Sequence, residues 1–446
     1  MPPSPATLTA DPVTTALAPG HDRPGAGATL LGAHHAGYGA DLAGHLAYHG
    51  QLPLPRAGDT GWPERLAECV EASGLTGRGG AGFPSSTKLR SVGVAGGTLV
   101  VNAMEGEPAS TKDKALLSCA PHLVLDGAQL TASAMSAARI VVCVADDDHH
   151  SARMISYAMA ERSGTAASPV ATTVARPPAA YVAGEESALV SWLDGGPGVP
   201  TFRPVKGMPL SARRRRALVH NAETLAHVAL IARHGPGTFR STGSADAPGT
   251  TLVTITGGVA RPGVYEIPLG ARLEHVIARA RPTDAVQAVL TGGFGGSWLP
   301  AAALGTPYAP KPMAAAGGVL GAGVLVVLPR NACGITETAR VAHYMAGQSA
   351  GQCGPCVFGL PALARDLSDV ADGTADGTTL RRLDERLTAV SGRGACRHPD
   401  GVARMVHSAL TVFAGDVATH VRGTPCAHRA RPSMLPPQTA CRRGPA

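Results

Sequence analysis

Two cysteines in the stretch QSAGQCGPCVFGL, residues 348–360, have the spacing of a metal-binding pair. Cys353 and Cys356 are separated by two residues, so both thiolates could bind one metal centre. A further C-x-x-C step upstream would place a third thiolate at position 350, but this position is Ala350. The chain has nine cysteines, an odd number scattered along its length, which argues against a disulfide framework. The close pair therefore predicts a metal or redox centre in a reducing compartment.

A glycine-rich loop, GLTGRGGAGFPSSTK at residues 74–88, is the second stretch that could bind a ligand. Its glycines allow backbone N–H groups to approach an anion that side chains would keep away. Arg78 or Lys88 could add positive charge. The loop lacks the G-x-x-x-x-G-K-[ST] pattern and does not follow a clear strand, so neither an ATPase phosphate loop nor a Rossmann fingerprint fits. An ordinary turn is the alternative.

An acidic loop, VNAMEGEPASTKDK at residues 101–114, directly follows a predicted strand. Ligands of α/β sheets bind at such strand ends. Asn102 offers both a hydrogen-bond donor and an acceptor, and Glu105 and Glu107 offer carboxylates.

A third polar stretch, YVAGEESAL at residues 181–189, places Glu185 and Glu186 after a glycine, at a predicted helix start. An acid at a helix N-terminus is often only a cap. The glycine loop and the two acidic stretches, in this order along one chain, indicate a common ligand site more strongly than any one of them.

The elements that must position these loops have recognisable patterns. Residues 97–105 and 138–147 read as short buried strands, with a helical pattern, HLVLDGAQLTASAMSA, between them. Strand, helix, strand predicts a parallel α/β sheet. A short helix is expected from Trp62 to a terminating glycine. From about residue 248 the pattern is strand, turn at Arg261-Pro262-Gly263, strand and helix, closed by GVLVVL, which predicts a small β-grasp-like domain.

Composition limits the class of protein. A chain of 446 residues is expected to form two to four domains. The N-terminus lacks the pattern of a signal peptide, and the longest uncharged run, residues 313–328, is too short to span a bilayer. The sequence therefore predicts a cytoplasmic protein without direct membrane insertion.

The net charge of +7 includes one run of four arginines, Arg213 to Arg216. A solvated loop is the simplest interpretation. The alternatives are a docking patch for an acidic electron carrier, or a contact to a dinucleotide phosphate. Nucleic-acid binding is disfavoured, because no recognised motif or interleaved aromatic residues accompany the run.

Taken together, the motifs resemble those of a known family. GRGGAGFP…K, VNAMEGEP, YVAGEESAL, NAETL, GGVARPGVYEIPLG and GQCGPC occur in the order found in the NADH-binding flavoprotein subunit of respiratory complex I and its relatives in NAD-linked hydrogenases and formate dehydrogenases. The resemblance covers roughly residues 62–413.

The resemblance implies an α/β domain that binds FMN, a β-grasp domain of the soluble-ligand-binding type and a C-terminal helical iron–sulfur domain. The expected boundaries are a partly ordered arm at 1–60, the FMN domain at 61–247, the β-grasp domain at 248–330, the iron–sulfur domain at 331–415 and a disordered tail at 416–446.

The resemblance also assigns flavin contacts to four loops. These are Arg78, Gly79, Gly80, Gly82 and Lys88 in the first loop, Asn102 and Glu105 in the second, Tyr181, Gly184, Glu185 and Glu186 in the third, and Asn221 and Thr224 in the fourth. Glycine amides and Lys88 suit the flavin phosphate, whereas the amides and acids suit the ribityl hydroxyls and the ring. Glu105 and Glu186 are the predicted catalytic groups.

The chain departs from the family pattern around the flavin and the nucleotide. Met104 stands where the family has an acid, and His220 where it has a second asparagine before Asn221. Of the aromatic residues that stack on the NADH adenine, Phe83 is present but Ser91 replaces another. NAD(H) is therefore expected to bind less securely than FMN.

The metal loop departs as well. Cys353, Cys356 and Cys396 match three of the four family ligands, and Ala350 replaces the remaining one. Three thiolates could hold a 3Fe-4S cluster, or a 4Fe-4S cluster whose last iron has another ligand. Cys333 and His398 are candidate substitutes. The alternative is a degenerate, empty site.

The leading functional prediction is a flavin/iron–sulfur oxidoreductase subunit. It would pass electrons between a donor, NADH or a ferredoxin-like carrier, FMN and an iron–sulfur cluster, and exchange them with a redox partner protein that is ferredoxin-like or another oxidoreductase subunit. The rival prediction is a non-catalytic scaffold subunit of a redox assembly with degenerate cofactor sites.

Overall fold

The structure, a computed structural model, describes residues 29–56, 58–90, 96–202, 210–212 and 215–435. Its first sheet comprises β1 (Thr98–Asn102), β2 (Arg139–Cys143), β3 (Thr172–Ala175), β4 (Leu210–Ala212) and β5 (Arg215–Asn221). The strand order is β3-β2-β1-β5-β4. Strands β1, β2, β3 and β5 are parallel, and the edge strand β4 is antiparallel to β5. The predicted parallel α/β sheet is confirmed.

Helices cover both faces of this sheet. They are α1 (Gly32–His35), α2 (Leu42–His49), α3 (Trp62–Ser73), α4 (Ser85–Arg90), α5 (Lys112–Cys119), α6 (Pro121–Ala134), α7 (His149–Glu161), α8 (Glu186–Leu193) and α9 (Ala222–Arg240). Side chains of β1 alternate between two cores: Leu99 and Val101 pack in a cluster with α6 and α9, and Val100 packs with α8. Burial on both faces explains why the centres of β1 and β2, LVV and IVV, are apolar.

A second sheet follows along the chain. It comprises β8 (Thr250–Gly257), β9 (Gly263–Pro268), β10 (Val286–Thr291), β11 (Ser297–Pro300) and β12 (Val324–Pro329), after the short hairpin β6 (Gly243–Ser244) and β7 (Ala247–Pro248). The order is β11-β10-β12-β8-β9. Strands β8 and β9 form the antiparallel pair expected around the turn at Arg261-Pro262-Gly263, and β12 pairs with β8 in parallel. Helices α10 (Leu273–Arg279) and α11 (Pro310–Ala315) accompany this sheet.

The C-terminal part is helical, as predicted. It contains α12 (Gly334–Gly347), α13 (Leu360–Asp372), α14 (Thr379–Val390), α15 (His398–Val412) and α16 (Ala414–Val421). A π-helical turn, Pro355–Gly359, directly precedes α13, and a short 3-10 helix, Ala427–Ala430, follows α16. One apolar core joins these helices to β10 and β12.

The prediction of a disordered tail at 416–446 is wrong for its first part. Residues 416–421 belong to α16, and the chain remains described to residue 435. The buried side chains of Val417, His420 and Leu435 explain the order, because they anchor a segment whose sequence shows little periodicity. Residues 436–446 and residues 1–28 of the predicted arm lie outside the described part. The rest of that arm contains α1 and α2, so it is partly ordered as expected.

Candidate functional site

The first and fourth predicted loops meet at the carboxyl edge of the first sheet. Strands β1 and β5 end at Asn102 and Asn221, which are paired in register. The glycine loop reaches this edge: a Cβ added to Gly79 would lie 3.3 Å from the Cβ of Asn221. The backbone N–H of Arg78 donates to Thr224 Oγ1 at 2.9 Å. The edge is where a parallel sheet offers a ligand site.

The second and third loops are joined by Asn102. Its side-chain amide donates to the carbonyl oxygen of Gly184 at 2.8 Å, and its Oδ1 accepts from the N–H of Met104 at 3.1 Å. A Cβ added to Gly184 would lie 3.3 Å from Met104, so this glycine permits the close contact of the two loops. Asn102 thus holds two ligand loops in one arrangement.

Asn221 has a similar joining role. Its Oδ1 accepts from the N–H of Glu223 at 3.0 Å and so caps α9. Its Nδ2 donates to Asp113 Oδ2 at 2.8 Å and to the carbonyl oxygen of Asn102 at 3.3 Å. The structure therefore brings the predicted residues of all four loops together.

Glu105, one of the two predicted catalytic carboxylates, is turned towards the start of α5. It accepts hydrogen bonds from the Ser110 hydroxyl and, at 3.2 Å, from the N–H groups of Asp113 and Lys114. Burial, and then the charge of Asp113, raise the pKa of Glu105. These contacts position the loop, and a catalytic role for Glu105 stays a prediction.

Glu186, the other predicted catalytic carboxylate, forms an ion pair with Lys88. The pair connects the glycine loop to the start of α8. Glu185 caps the same helix by accepting from the N–H groups of Ser187 at 2.9 Å and Ala188 at 3.1 Å. The contact assigned to Lys88 with a flavin phosphate stays a prediction, as does the catalytic role of Glu186.

A cavity of about 370 Å³ lies between the glycine loop and the second sheet. Its wall includes Gly77, Arg78, Gly80, Gly82, Lys112, Thr251, Leu252, Tyr308, Gly318, Gly321 and Arg404. Gly80 has φ +98°, and a Cβ there would lie 3.3 Å from the carbonyl oxygen of Gly321. Only glycine adopts this conformation readily and leaves the narrow passage open. The size is in the range of small-ligand sites.

Arg78 gives this cavity a buried positive charge. Its Nη atoms donate to Thr76 Oγ1 at 3.0 Å and to the carbonyl oxygen of Thr250 at 3.1 Å. Its Nε is buried and has no hydrogen-bond partner among the residues that the structure describes. Burial lowers the pKa of Arg78, and the carboxylate of Glu223 opposes that shift. A buried guanidinium with an unsatisfied N–H fits an anionic group such as a flavin phosphate.

Lys112 is a second cation in the wall, and the sequence motifs did not single it out. Its Nζ lies 2.8 Å from Asp113 Oδ1 and 2.9 Å from Glu223 Oε2. Burial lowers the pKa of Lys112. The two carboxylates raise this pKa by a larger amount, so the net shift is upward and the ammonium stays charged. In the sequence, the position of Lys112 just after the strand-end loop was the one feature that could have indicated a place in the ligand site.

A second cavity, of about 260 Å³, lies between the predicted flavin loops and the predicted iron–sulfur site. It shares Gly80, Gly321 and Arg404 with the first cavity. Its other wall residues include Gly79, Tyr181, Glu185, Cys396 and His398. A ligand at the glycine loop would therefore have a predicted metal ligand, Cys396, in the same open space.

The three predicted metal ligands are close to one another. Burial, and then the neighbouring thiols of Cys353 and Cys396, raise the pKa of Cys356 to about 12. Burial likewise raises the pKa of Cys396, with Glu185 and Cys353 adding to the shift. A bound metal would reverse these shifts, because it stabilises thiolates. Three adjacent soft ligands beside Ala350 fit an iron–sulfur cluster with one non-cysteine position.

The two candidate substitutes for the missing ligand differ. His398 is buried near Cys396: its Nε2 lies 2.8 Å from the carbonyl oxygen of Met345, and its Nδ1 has no partner within the described part of the chain. His398 therefore stays a candidate. Cys333 is instead located beside His420 and Cys426, and the suggestion that it completes the Cys353 site is wrong. The order of helices, which the sequence does not reveal, separates the two groups.

Part of the predicted nucleotide wall falls outside the described residues. This part comprises Ser91, Arg213 and Arg214. Strand β5 begins at Arg215, so the last two residues of the arginine run, Arg215 and Arg216, belong to the first sheet. Phe83 is 51% exposed beside the glycine loop, which leaves its ring face available for stacking.

Glu107 provides a prediction about pH. Burial raises the pKa of Glu107 to about 7, although the N–H groups of Phe294 and Ala109 and the Tyr181 hydroxyl oppose the shift. A carboxyl whose pKa is higher in the folded than in the unfolded state contributes its full stability at pH values below the unfolded pKa. This contribution is lost as the pH rises through the folded pKa, here about 7. We expect Glu107→Gln to gain stability relative to wild type between pH 5 and pH 8, by at most about 3 kcal/mol.

Thermal unfolding at the two pH values measures this effect. The difference in Tm, variant minus wild type, should increase with pH, whatever its value at pH 5. A difference that is the same at both values would contradict the raised pKa. Glu64→Gln, at an exposed site in α3, is the control and should show no such trend.

Within the described part of the chain, no helix is both long and apolar enough to cross a membrane.

Three protein-family models match the chain. The Nuo51 FMN-binding domain matches residues 70–230, the SLBB domain matches residues 252–281, and the iron–sulfur binding region of NADH-ubiquinone oxidoreductase F matches residues 336–420. The first match spans the four loops, and the third includes Cys353, Cys356 and Cys396.

Similar proteins have been named in several bacteria. The NADH-quinone oxidoreductase subunit designated F in Streptomyces coelicolor is 31% identical over 379 residues, covering 82% of this chain and 84% of the relative. Its counterpart in Mycobacterium tuberculosis is 31% identical over 410 residues, covering 88% and 92%. Among solved structures, an NAD+-reducing [NiFe]-hydrogenase in the H2-reduced state has a TM-score of 0.75 and 30% identity. The match covers 84% of this chain but 64% of the hydrogenase chain.

Proposed function

This chain belongs to the family of NADH-binding subunits with FMN and iron–sulfur domains, typified by these NADH-quinone oxidoreductase subunits, and we propose that it transfers electrons from NADH to a partner redox protein. It is an NADH dehydrogenase-like oxidoreductase whose cofactors are FMN and an iron–sulfur cluster. The observation that supports the proposal is the second cavity, because residues of the predicted flavin loops, such as Gly79 and Glu185, line the same space as Cys396.

The described residues fit FMN. Three features make the first cavity suitable for the flavin phosphate. The backbone at Gly80 allows a close approach, the Nε of Arg78 has no partner among the described residues, and Lys112 adds a positive charge. Asn102 and Asn221 hold the loops that would surround the rest of the molecule. A bound flavin supplies the chemistry that accepts two electrons from a nicotinamide and releases them singly. The protein contributes binding, orientation and exclusion of water.

We further assign the domain boundaries proposed from the sequence. The FMN domain spans residues 61–247, and the helical iron–sulfur domain starts at 331. Residues 248–330 are proposed to be a β-grasp domain of the soluble-ligand-binding type. The SLBB match at 252–281 and the mixed sheet of β8 to β12 support this assignment.

A partner follows from the relatives. The similar proteins are named as a subunit of NADH-quinone oxidoreductase and as part of an NAD+-reducing hydrogenase. We therefore propose that the partner is another oxidoreductase subunit in the cytoplasm, with a ferredoxin-like carrier as the alternative. The exposed Phe358, 75% accessible and two residues after Cys356, would lie at such a contact.

Reduction of the flavin by NADH tests the proposal. Purified protein should be yellow-brown, and NADH should bleach its flavin absorption in a stopped-flow experiment. Because Ser91 replaces one aromatic residue of the nucleotide wall, we expect the half-saturating NADH concentration to be high. A colourless preparation would instead support the scaffold alternative.

Phe83→Ala tests the nucleotide wall separately. Loss of a stacked ring should raise the half-saturating NADH concentration roughly tenfold and leave the flavin content unchanged. Tyr157→Ala, which removes another exposed ring, 57% accessible on α7, is the matched control. Equal NADH dependence of the two variants would show that Phe83 does not contact the nucleotide.

A further inference from the structure

A second group of metal-binding side chains lies at the far end of the helical region. Cys333, His420 and Cys426 each offer one ligand atom, and these atoms all lie within 4.8 Å of one another. Cys333 precedes α12, His420 is in the last turn of α16, and Cys426 directly precedes the 3-10 helix Ala427–Ala430. Residues distant in sequence thus converge on one point.

His420 has the arrangement of a metal-binding imidazole. It is fully buried, and its Nδ1 lies 3.0 Å from the carbonyl oxygen of Ala371 and 3.3 Å from that of Val370. A carbonyl only accepts hydrogen bonds, so Nδ1 carries the proton and Nε2 presents its lone pair. Metal-bound histidines are usually oriented in this way.

The lone pair of His420 faces a thiol. Cys333 Sγ lies 3.8 Å from Nε2. In a tetrahedral zinc site, the bond lengths place sulfur and nitrogen ligands about 3.5–3.8 Å apart. The two atoms, Cys333 Sγ and His420 Nε2, therefore need to move little to bind one ion.

We propose that Cys333, His420 and Cys426 bind a zinc ion, which is distinct from the iron–sulfur site and independent of the proposed electron transfer. Two thiolates and one imidazole are ligands that zinc prefers. Calcium and magnesium do not suit this site, because they prefer oxygen ligands. Cys426 is half-buried, so a water molecule from this side completes the tetrahedron.

One contact of Cys333 would stabilise a thiolate. It caps α12, where its sulfur accepts from the N–H of Thr336 at 3.5 Å. The positive end of a helix stabilises a negative sulfur. Burial opposes this effect and raises the pKa of Cys333 to about 11, so a thiolate at Cys333 depends on the bound cation.

The ion would fix the end of the chain. His420 Nε2 accepts from the N–H of Cys426 at 3.0 Å, a contact that zinc replaces with bonds to both side chains. The same ion joins the turn after α16 to the start of α12, across the core of the helical region. A structural metal at this point explains why a segment with little helical periodicity is ordered.

Metal analysis of the full-length protein, purified after expression in zinc-supplemented medium, tests the site. We expect about one zinc per chain in wild type and strongly reduced zinc in Cys426→Ser and His420→Gln. Cys69→Ser, at another half-buried free cysteine, should retain zinc. Cys396→Ser should retain it as well, because that residue belongs to the iron–sulfur site.

Zinc-edge X-ray absorption identifies the ligands without interference from iron or flavin. Two sulfur ligands at about 2.3 Å are expected. Three sulfurs, with zinc lost in Cys396→Ser, would mean occupation of the Cys353 site and would overturn the proposal. So would a wild type without zinc, zinc unaffected by Cys426→Ser, or a Cys333–Cys426 disulfide found by mass spectrometry. If His420→Gln fails to fold, the less buried Cys426→Ser decides.

Discussion

Replacement of Cys396 by serine is expected to remove the iron–sulfur centre from the protein completely. Among the described residues, three cysteines are brought together at this site: Cys353 and Cys396 both raise the pKa of Cys356, and Cys353 also raises that of Cys396. Two remaining thiolates cannot retain a cluster that already lacks one cysteine at position 350. Iron and acid-labile sulfide, measured on anaerobically purified protein, should fall to background, and the cluster signal in electron paramagnetic resonance should disappear.

The complementary change restores a ligand. Ala350→Cys should convert a labile three-iron or site-differentiated four-iron centre into a four-iron centre that survives air longer, because the fourth iron gains a soft ligand. Cys69→Ser, remote from the loop, is the control and should leave the iron content unchanged. Background iron in anaerobic wild type, unaltered by Ala350→Cys, would show that the loop is degenerate.

Gly80→Val is expected to abolish the retention of FMN. The backbone at Gly80 has φ +98°, which β-branched residues hardly adopt, and a side chain there would meet the carbonyl of Gly321. Both residues line the two cavities, so the added volume would also occupy the ligand space. Flavin released by denaturation, relative to protein concentration, should fall from near one per chain to background.

Two further variants separate flavin loss from misfolding. Gly237→Ala, where the added Cβ meets nothing within 4 Å, should keep its flavin. Lys88→Ala removes the ion pair with Glu186 and should also lose flavin if the lysine contacts the phosphate. Stoichiometric flavin in folded Gly80→Val would remove the glycine loop from the site. The circular dichroism of each variant reports the fold.

Much of the site was accessible from the sequence because its loops are local features. The loop that follows β1 is defined by an apolar run and the polar residues directly after it. The expected parallel strands are confirmed. Cys353 and Cys396 lie near Cys356 in the structure, and their role as metal ligands stays a prediction. The family resemblance added the order of the motifs and hence the flavin.

Other features required the tertiary structure. Lys112 was one lysine among several charged residues in its loop, and only the folded chain shows it buried between two carboxylates in the cavity wall. The sequence also could not show that Glu105 turns towards the N-terminus of α5. Side-chain direction depends on what packs nearby, which a linear pattern does not contain.

The sequence by itself determined the parallel α/β sheet, the helical C-terminal part, the glycine loop and the three cysteines, because periodicity, backbone conformation and ligand spacing are local properties. The tertiary structure decided that Cys333 belongs with His420 and Cys426 rather than with Cys353, and that the segment after residue 416 is ordered. Both outcomes depend on helices that meet across about ninety residues of chain, and the packing that brings them together is a property of the whole core.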